Sequence, residues 1–120
     1  MIKLAIIDDE QSVISLLQDG LSKDRKFQVT TFTNPLIAVN AIKPHSFDAV
    51  LCDIVMPQMD GIDVLEKLKA IDEKLVVIMM TGQSTLDRVL KSHKVGADCY
   101  ILKPFGSMNE IEQKISSLVK

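Results

Sequence analysis

The sequence predicts an α/β protein built on a doubly wound, parallel five-stranded sheet with helices on both faces. Three observations predict it. Short β-rich apolar runs alternate five times with longer segments of helical period. Most of the runs are continuously apolar, as expected of strands covered on both sides. Several of the intervening segments also carry readable helix ends. At 120 residues, 47% hydrophobic and 25% charged, the chain reads as one domain, 1–120, able to bury a core without disulfides or a structural metal.

The first strand is predicted from Ile2 to Asp8, followed by a helix whose apolar positions are Val13, Leu17 and Leu21. After a second strand, Phe27 to Phe32, Asn34 caps a helix with Pro35 at its first position; its stripe is Leu36, Val39 and Ile42, and Pro44 stops it. The third strand, Ala49 to Asp53, leads to a helix marked by Ile62, Leu65, Leu68 and Ile71. A fourth strand, Leu75 to Met80, precedes a helix with Leu86, Val89 and Leu90 that ends near Gly96. The fifth strand is Cys99 to Leu102. In the last helix Met108, Ile111, Ile115 and Leu118 recur at spacings of three and four, with Glu110 placed to meet Lys114. These stripes read as core, not as cofactor-binding surfaces.

Fourteen Lys plus Arg against sixteen Asp plus Glu leave a net charge of −2, and no basic run is present. The chain therefore lacks the electrostatic footprint of a nucleic-acid binder. The N-terminal apolar run turns acidic at Asp8 before reaching secretory length, and no later run approaches the ~20 residues of a membrane span. A cytoplasmic protein with no membrane partner is expected. Cys52 and Cys99 lie in apolar contexts without metal-ligand spacing and read as reduced thiols. His45 and His93 read as surface residues, and Arg88, Lys91, His93 and Lys94 as ordinary solvated charges.

In a parallel sheet all strands deliver their C-terminal ends to one edge. The residues delivered there are Asp8, Asp9 and Glu10, then Asp53, Thr81 and Lys103. Any one of these acids could serve only as a helix cap or complement a helix dipole. As a set they point to chemistry. In the doubly wound order 2-1-3-4-5, strands 1 and 3 are neighbours about 4.8 Å apart and the ligand crevice lies between them. Asp8, Asp9 and Asp53 would then share a cleft, and like charges ~4 Å apart repel by about 4 kcal/mol at an effective dielectric of 20. Such a cluster asks for protonation or for a divalent cation, and an all-oxygen site suits Mg²⁺, with Mn²⁺ as the alternative. A cation, the Thr81 hydroxyl and the Lys103 ammonium around Asp53 are the parts needed to hold a phosphoryl group, with Asp53 as nucleophile.

Four segments carry a resemblance to a known family: Ile6-Ile7-Asp8-Asp9-Glu10, Asp53-Ile54-Val55-Met56-Pro57-Gln58-Met59-Asp60-Gly61, Met80-Thr81-Gly82, and Gly96-Ala97-Asp98-Cys99-Tyr100-Ile101-Leu102-Lys103-Pro104-Phe105. In order and spacing they resemble the receiver domains of two-component response regulators, and the resemblance covers essentially the whole chain. The strand order 2-1-3-4-5, and with it a flavodoxin-like (βα)5 sandwich, is taken from that family. The resemblance implies that Asp53 accepts a phosphoryl group from a sensor histidine kinase or histidine phosphotransfer protein. It implies that Asp9 binds Mg²⁺ directly, Asp8 through water, and that Asp53 and the Val55 backbone carbonyl complete the metal site. Lys103 would pair with the phosphoryl oxygens, Thr81 would hydrogen-bond one of them, and Tyr100 would be the aromatic that turns inward when Thr81 moves. The Lys103-Pro104 bond would be cis. Val55 and Gln83 stand where side chains influence the lifetime of the acyl phosphate.

Thr81 and Lys103 sit at the roots of the fourth and fifth helices, so the face of helix 4, strand 5 and helix 5 is expected to change on phosphorylation and to meet a downstream protein target or output domain. A phosphorylation-dependent homodimer is a further partner that the resemblance allows. Two alternatives stand beside this reading. The chain could be the receiver of a longer transcriptional or enzymatic regulator. It could instead be a Mg²⁺-dependent phosphohydrolase, but those enzymes commonly carry a second acid two residues after the nucleophile, where this chain has Val55. The expectation is a phosphorylation-dependent switch that catalyses only its own phosphorylation and dephosphorylation.

Overall fold

In a computed structural model, which describes residues 1–23, 25–82 and 86–119, strands and helices alternate along the chain. They are β1 (Ile2–Ile7), α1 (Gln11–Ser22), β2 (Phe27–Phe32), α2 (Pro35–Ala41), β3 (Ala49–Asp53), α3 (Gly61–Ile71), β4 (Val76–Thr81), α4 (Leu86–Val95), β5 (Cys99–Leu102) and α5 (Met108–Leu118). Every pairing is parallel, and the sheet order is β2-β1-β3-β4-β5. The predicted α/β class and strand order are both observed.

The central strands are apolar on both faces because each face meets a separate helix layer. Ala5, Ile7, Val50, Cys52, Val77 and Met79 pack with α2 and α3, whereas Leu4, Ile6, Ala49, Leu51, Ile78 and Met80 pack with α1 and α5. Period-2 alternation assigns neighbours along each strand to opposite cores. The edge strands β2 and β5 are less completely buried.

Local chemistry starts the helices where the site needs them. The Asn34 side chain accepts from the Leu36 N–H with Pro35 at the first position, Asp60 accepts from Ile62 N, and the Ser107 hydroxyl accepts from Glu110 N. Gly61 opens α3 directly beneath the end of β3: a Cβ there would lie 2.0 Å from the Asp53 carbonyl oxygen. No other residue fits without moving the strand that carries Asp53. Gly96 ends α4 with φ +125°, its N–H reaching the Ser92 carbonyl at 3.1 Å.

Four sequence expectations are corrected. β1 ends at Ile7, leaving Asp8 just past the strand, and β4 is shifted by one residue so that it contains Thr81. In α2 the buried positions are Pro35 and Ala38, continued by the C-cap Ile42 as expected, while Leu36 is 50% exposed. The stripe runs through the small Ala38, which carries little hydrophobic signal. α2 also ends at Ala41, before Pro44 is reached.

Candidate functional site

The C-terminal edge of the sheet gathers the acids. Asp8 follows β1 and is fully buried; its N–H donates to the Phe32 carbonyl at 3.1 Å, and its carboxylate accepts from Glu10 N at 2.9 Å. Asp53 closes β3 and is 4% exposed, with the Val55 N–H donating to its carboxylate. Carboxylate oxygens of Asp8, Glu10 and Asp53 lie within 4.8 Å of one another. Asp9, partly buried, stands outside that group.

Lys103 is the cation of the cluster. Its backbone N–H donates to the Thr81 carbonyl at 2.9 Å, which fixes the root of its side chain beside β4. Its ammonium then crosses the sheet edge to donate to Asp8 Oδ2 at 2.7 Å, and lies 3.4 Å from Asp53 Oδ1. The shorter contact is with strand 1 and not with the nucleophile candidate. The Lys103-Pro104 bond is cis, as expected.

Among the described residues three carboxylates gather around one ammonium, and burial adds to their mutual repulsion. Burial, followed by the charge of Asp8, pushes the Asp53 carboxyl up to about 6; Lys103 and the Val55 N–H only partly oppose this. Burial alone would lower the Lys103 ammonium, but its hydrogen bond to Asp8 and the charges of Asp53 and Asp8 outweigh burial, and its pKa is raised. Burial, helped by Asp53 and Asp8, drives the neighbouring Cys52 thiol far above its usual range, so it stays protonated and unreactive.

Glu10 and Asp53 open into a cavity of about 520 Å³ lined also by Val13, Val55, Gly82, Lys103 and Pro104, with Asp8 buried behind them. A fully buried carboxylate, a second one with a raised pKa and a third at the rim form an all-oxygen donor set with room for water. That set fits a hard divalent cation such as Mg²⁺.

Thr81 ends β4, is 4% exposed, and lines a second cavity of about 510 Å³ together with Val89, Tyr100, Leu102 and Lys114. That cavity lies on the face made by α4, β5 and α5. Tyr100 is partly buried, and its hydroxyl donates to the Val89 carbonyl at 2.8 Å.

With this geometry, a family model described as the response regulator receiver domain matches residues 4–116. The chain belongs to the response regulator receiver family. As a receiver domain it is 34% identical over 113 residues to sporulation initiation phosphotransferase F of Bacillus subtilis, covering 94% of this chain and 90% of that protein. It is 30% identical over 118 residues to the transcriptional regulatory protein QseB of Haemophilus influenzae. There the match covers 98% of this receiver but 52% of the relative, so the chain spans about half of that regulator's length. Among solved structures, the BeF3-activated DrrB receiver domain matches with a TM-score of 0.87 at 25% identity, covering 98% of this chain and 97% of that one. A receiver domain protein from Clostridium thermocellum matches with a TM-score of 0.87 at 28% identity, covering 99% and 94%. Among the described residues, no helix is long and apolar enough to cross a membrane.

The receiver's predicted site residues thus divide. Asp8, Asp53 and Lys103 are in one cluster; Val55 lines the same cavity with its side chain 58% exposed; Thr81 and Tyr100 share the neighbouring cavity. Gln83 lies outside the described residues. Sequence reasoning left Glu10 out of the metal set, although its place in the Asp8-Asp9-Glu10 run signalled it. It also read Arg88 as a solvated charge. Instead the Arg88 guanidinium reaches Asp60 Oδ2 at 2.5 Å, tying α4 to the cap of α3. Burial tends to raise the Asp60 carboxyl, but the hydrogen bonds from Arg88 and Ile62 N win and its pKa falls. Lys91, His93 and Lys94 are exposed as expected.

Proposed function

We propose that Asp53 accepts a phosphoryl group from a phosphohistidine, presented by a sensor histidine kinase or histidine phosphotransfer protein, and that the new charge switches the α4–β5–α5 face. One observation carries the reading: Lys103 bridges Asp8 at 2.7 Å and Asp53 at 3.4 Å, one ammonium among the three described carboxylates gathered at that edge. Mg²⁺, bound by Asp8, Asp9, Asp53 and the Val55 carbonyl with Glu10 at the rim, would neutralise the incoming phosphoryl oxygens.

The chain's own groups do the rest. A carboxylate oxygen of Asp53 attacks phosphorus, the P–N bond to the donor imidazole breaks with its electrons going to nitrogen, and that nitrogen takes up a proton. A divalent cation held there would add to Lys103 in lowering the raised pKa of Asp53 and so keep the nucleophile ionised. Lys103, already within 3.4 Å of Asp53, turns from Asp8 to the phosphoryl oxygens. Thr81 supplies a hydroxyl to another oxygen, and water later hydrolyses the acyl phosphate. The partner of the switched face is a protein target or an output domain, and a homodimer formed on phosphorylation is a second form of the same contact. The free thiols of Cys52 and Cys99 support a cytoplasmic setting.

Intact mass after incubation with acetyl phosphate tests the reading. One added phosphoryl group is expected with Mg²⁺, and none with EDTA or in Asp53→Asn. An adduct of equal yield on the Asp53→Asn chain would refute Asp53 as acceptor.

A further inference from the structure

α4 carries a fully buried polar side chain that the phosphorylation chemistry does not use. Ser92 is 0% exposed. A helical serine ordinarily satisfies its hydroxyl on a carbonyl three or four residues back, and Ser92 does so on the Val89 carbonyl at 2.8 Å. It also has a second contact. Its Oγ lies 3.3 Å from the Tyr100 hydroxyl, which itself donates to that same Val89 carbonyl at 2.8 Å. Three polar groups on two elements therefore close into one network, with the phenol held between a turn of α4 and the side chain below it.

We propose that Ser92 is a positioning residue for Tyr100: with the Val89 carbonyl it forms a seat on α4 that holds the ring inward before any phosphoryl group arrives. The inference deepens the switch reading above and rests on it for its functional meaning. Tyr100 packs against the core shared with α2 and α3, so its apolar body is accommodated inward; its hydroxyl donates to the Val89 carbonyl, and the single Ser92 hydrogen has the phenol oxygen as its alternative acceptor to that carbonyl. With the Ser92 hydrogen on the phenol oxygen, Ser92, Tyr100 and the Val89 carbonyl form a donor chain in which each bond strengthens the next. The inward ring is thus set by α4 itself, and Thr81 biases a position that α4 already favours. Phosphorylation then acts on this receiver by moving α4, which carries the seat, more than by rotating the ring alone.

The chain has one tyrosine and no tryptophan, so its ultraviolet emission reports on Tyr100 alone. The experiment is acrylamide quenching of that emission in the full chain, without phosphodonor, for wild type, Ser92→Ala and Thr81→Ala. Ser92→Ala is expected to shift the ring about fivefold towards the exposed position, the factor set by loss of one net hydrogen bond, and to raise quenching accordingly. Thr81→Ala is expected to stay at the wild-type level. Wild-type shielding in Ser92→Ala, or full exposure in Thr81→Ala, would overturn the proposal. Urea unfolding of a cycle with Tyr100→Phe separates positioning from a local helix effect: the cost of Ser92→Ala should shrink in the Tyr100→Phe background, and an identical cost in both overturns it. A last arm adds Mg²⁺ and beryllofluoride. Restored shielding in Ser92→Ala is expected, and failure there would tell against the phosphorylation reading, since the donor-free arms judge the seat independently.

Discussion

Two lysine–aspartate pairs stand at opposite ends of the sheet, and they are built differently. At the N-terminal end, Lys69 donates to Asp98 at 3.0 Å and to the Leu75 carbonyl at 2.6 Å, while Asp98 also accepts from Val77 N at 2.8 Å. One cation meets one anion there, and strand starts and a helix end supply the remaining hydrogen bonds. At the C-terminal end, Lys103 serves both Asp8 and Asp53, with Glu10 close by, and Asp53 is left with its pKa near 6. The first arrangement is complete and fastens α3, β4 and β5 together. The second is incomplete, and what it lacks is positive charge. A balanced pair stabilises; an unbalanced one is ready to bind.

The largest effect should come from removing the imbalance at its centre. Asp53→Asn is expected to abolish phosphoryl labelling while raising stability in EDTA at pH 7.5. The sign follows from the raised pKa. Between 3.8, the ordinary value, and about 6, the folded chain binds the proton more tightly than the unfolded one, so this group's contribution falls as pH rises through that window. Above pH 6 the full penalty applies, on the order of 2–3 kcal/mol for a shift of this size. Urea unfolding at pH 4 and pH 7.5 checks it: the variant should gain on wild type at the higher pH only. An equal difference at both values would mean that the carboxyl is not strained by its neighbours.

Lys103→Ala and Lys69→Ala put the comparison itself to the test. Without Lys103 the fully buried Asp8 keeps, among the described residues, the Glu10 N–H, and a loss of about 3 kcal/mol is expected in EDTA, partly recovered by millimolar Mg²⁺. Phosphorylated Lys103→Ala should also lack the chemical-shift changes on the α4–β5–α5 face. Lys69→Ala removes a partly exposed pair, and about 1–2 kcal/mol is expected with no recovery by Mg²⁺ and unchanged phosphoryl labelling. Recovery of Lys69→Ala by the cation would erase the distinction between the two ends.

The same contrast explains what could be read from the sequence. Continuous apolar runs exposed the strands, because a sheet buried on both faces leaves no polar positions, and parallel strands bring Asp8, Asp53, Thr81 and Lys103 to one edge whatever the side chains do. Leu36 misled because α2 buries Ala38 instead, and alanine is too weakly hydrophobic to mark a stripe. The carboxylate that Lys103 prefers was not legible, since it depends on how a long flexible stem lies across three strands. Arg88 on Asp60 and Ser92 on Tyr100 were hidden for a related reason: each joins elements through a single side-chain contact that leaves no periodicity.

The smallest effect sharpens the unbalanced end. The Asp8-Asp9-Glu10 run offers three acids; family resemblance gives Asp9 as a direct ligand, while the carboxylates gathered with Asp53 belong to Asp8 and Glu10. Glu10 is exposed, so its attraction for a cation is screened by water and is worth about 1 kcal/mol, or about fivefold in affinity. Glu10→Gln should weaken Mg²⁺ binding by that factor, whereas Asp9→Asn, if it removes a ligand, should weaken it more. Titration of both variants by magnesium-dependent thermal shift decides between them. A larger loss in Glu10→Gln would move the ligand to Glu10, and with it the end of α1 into the metal site.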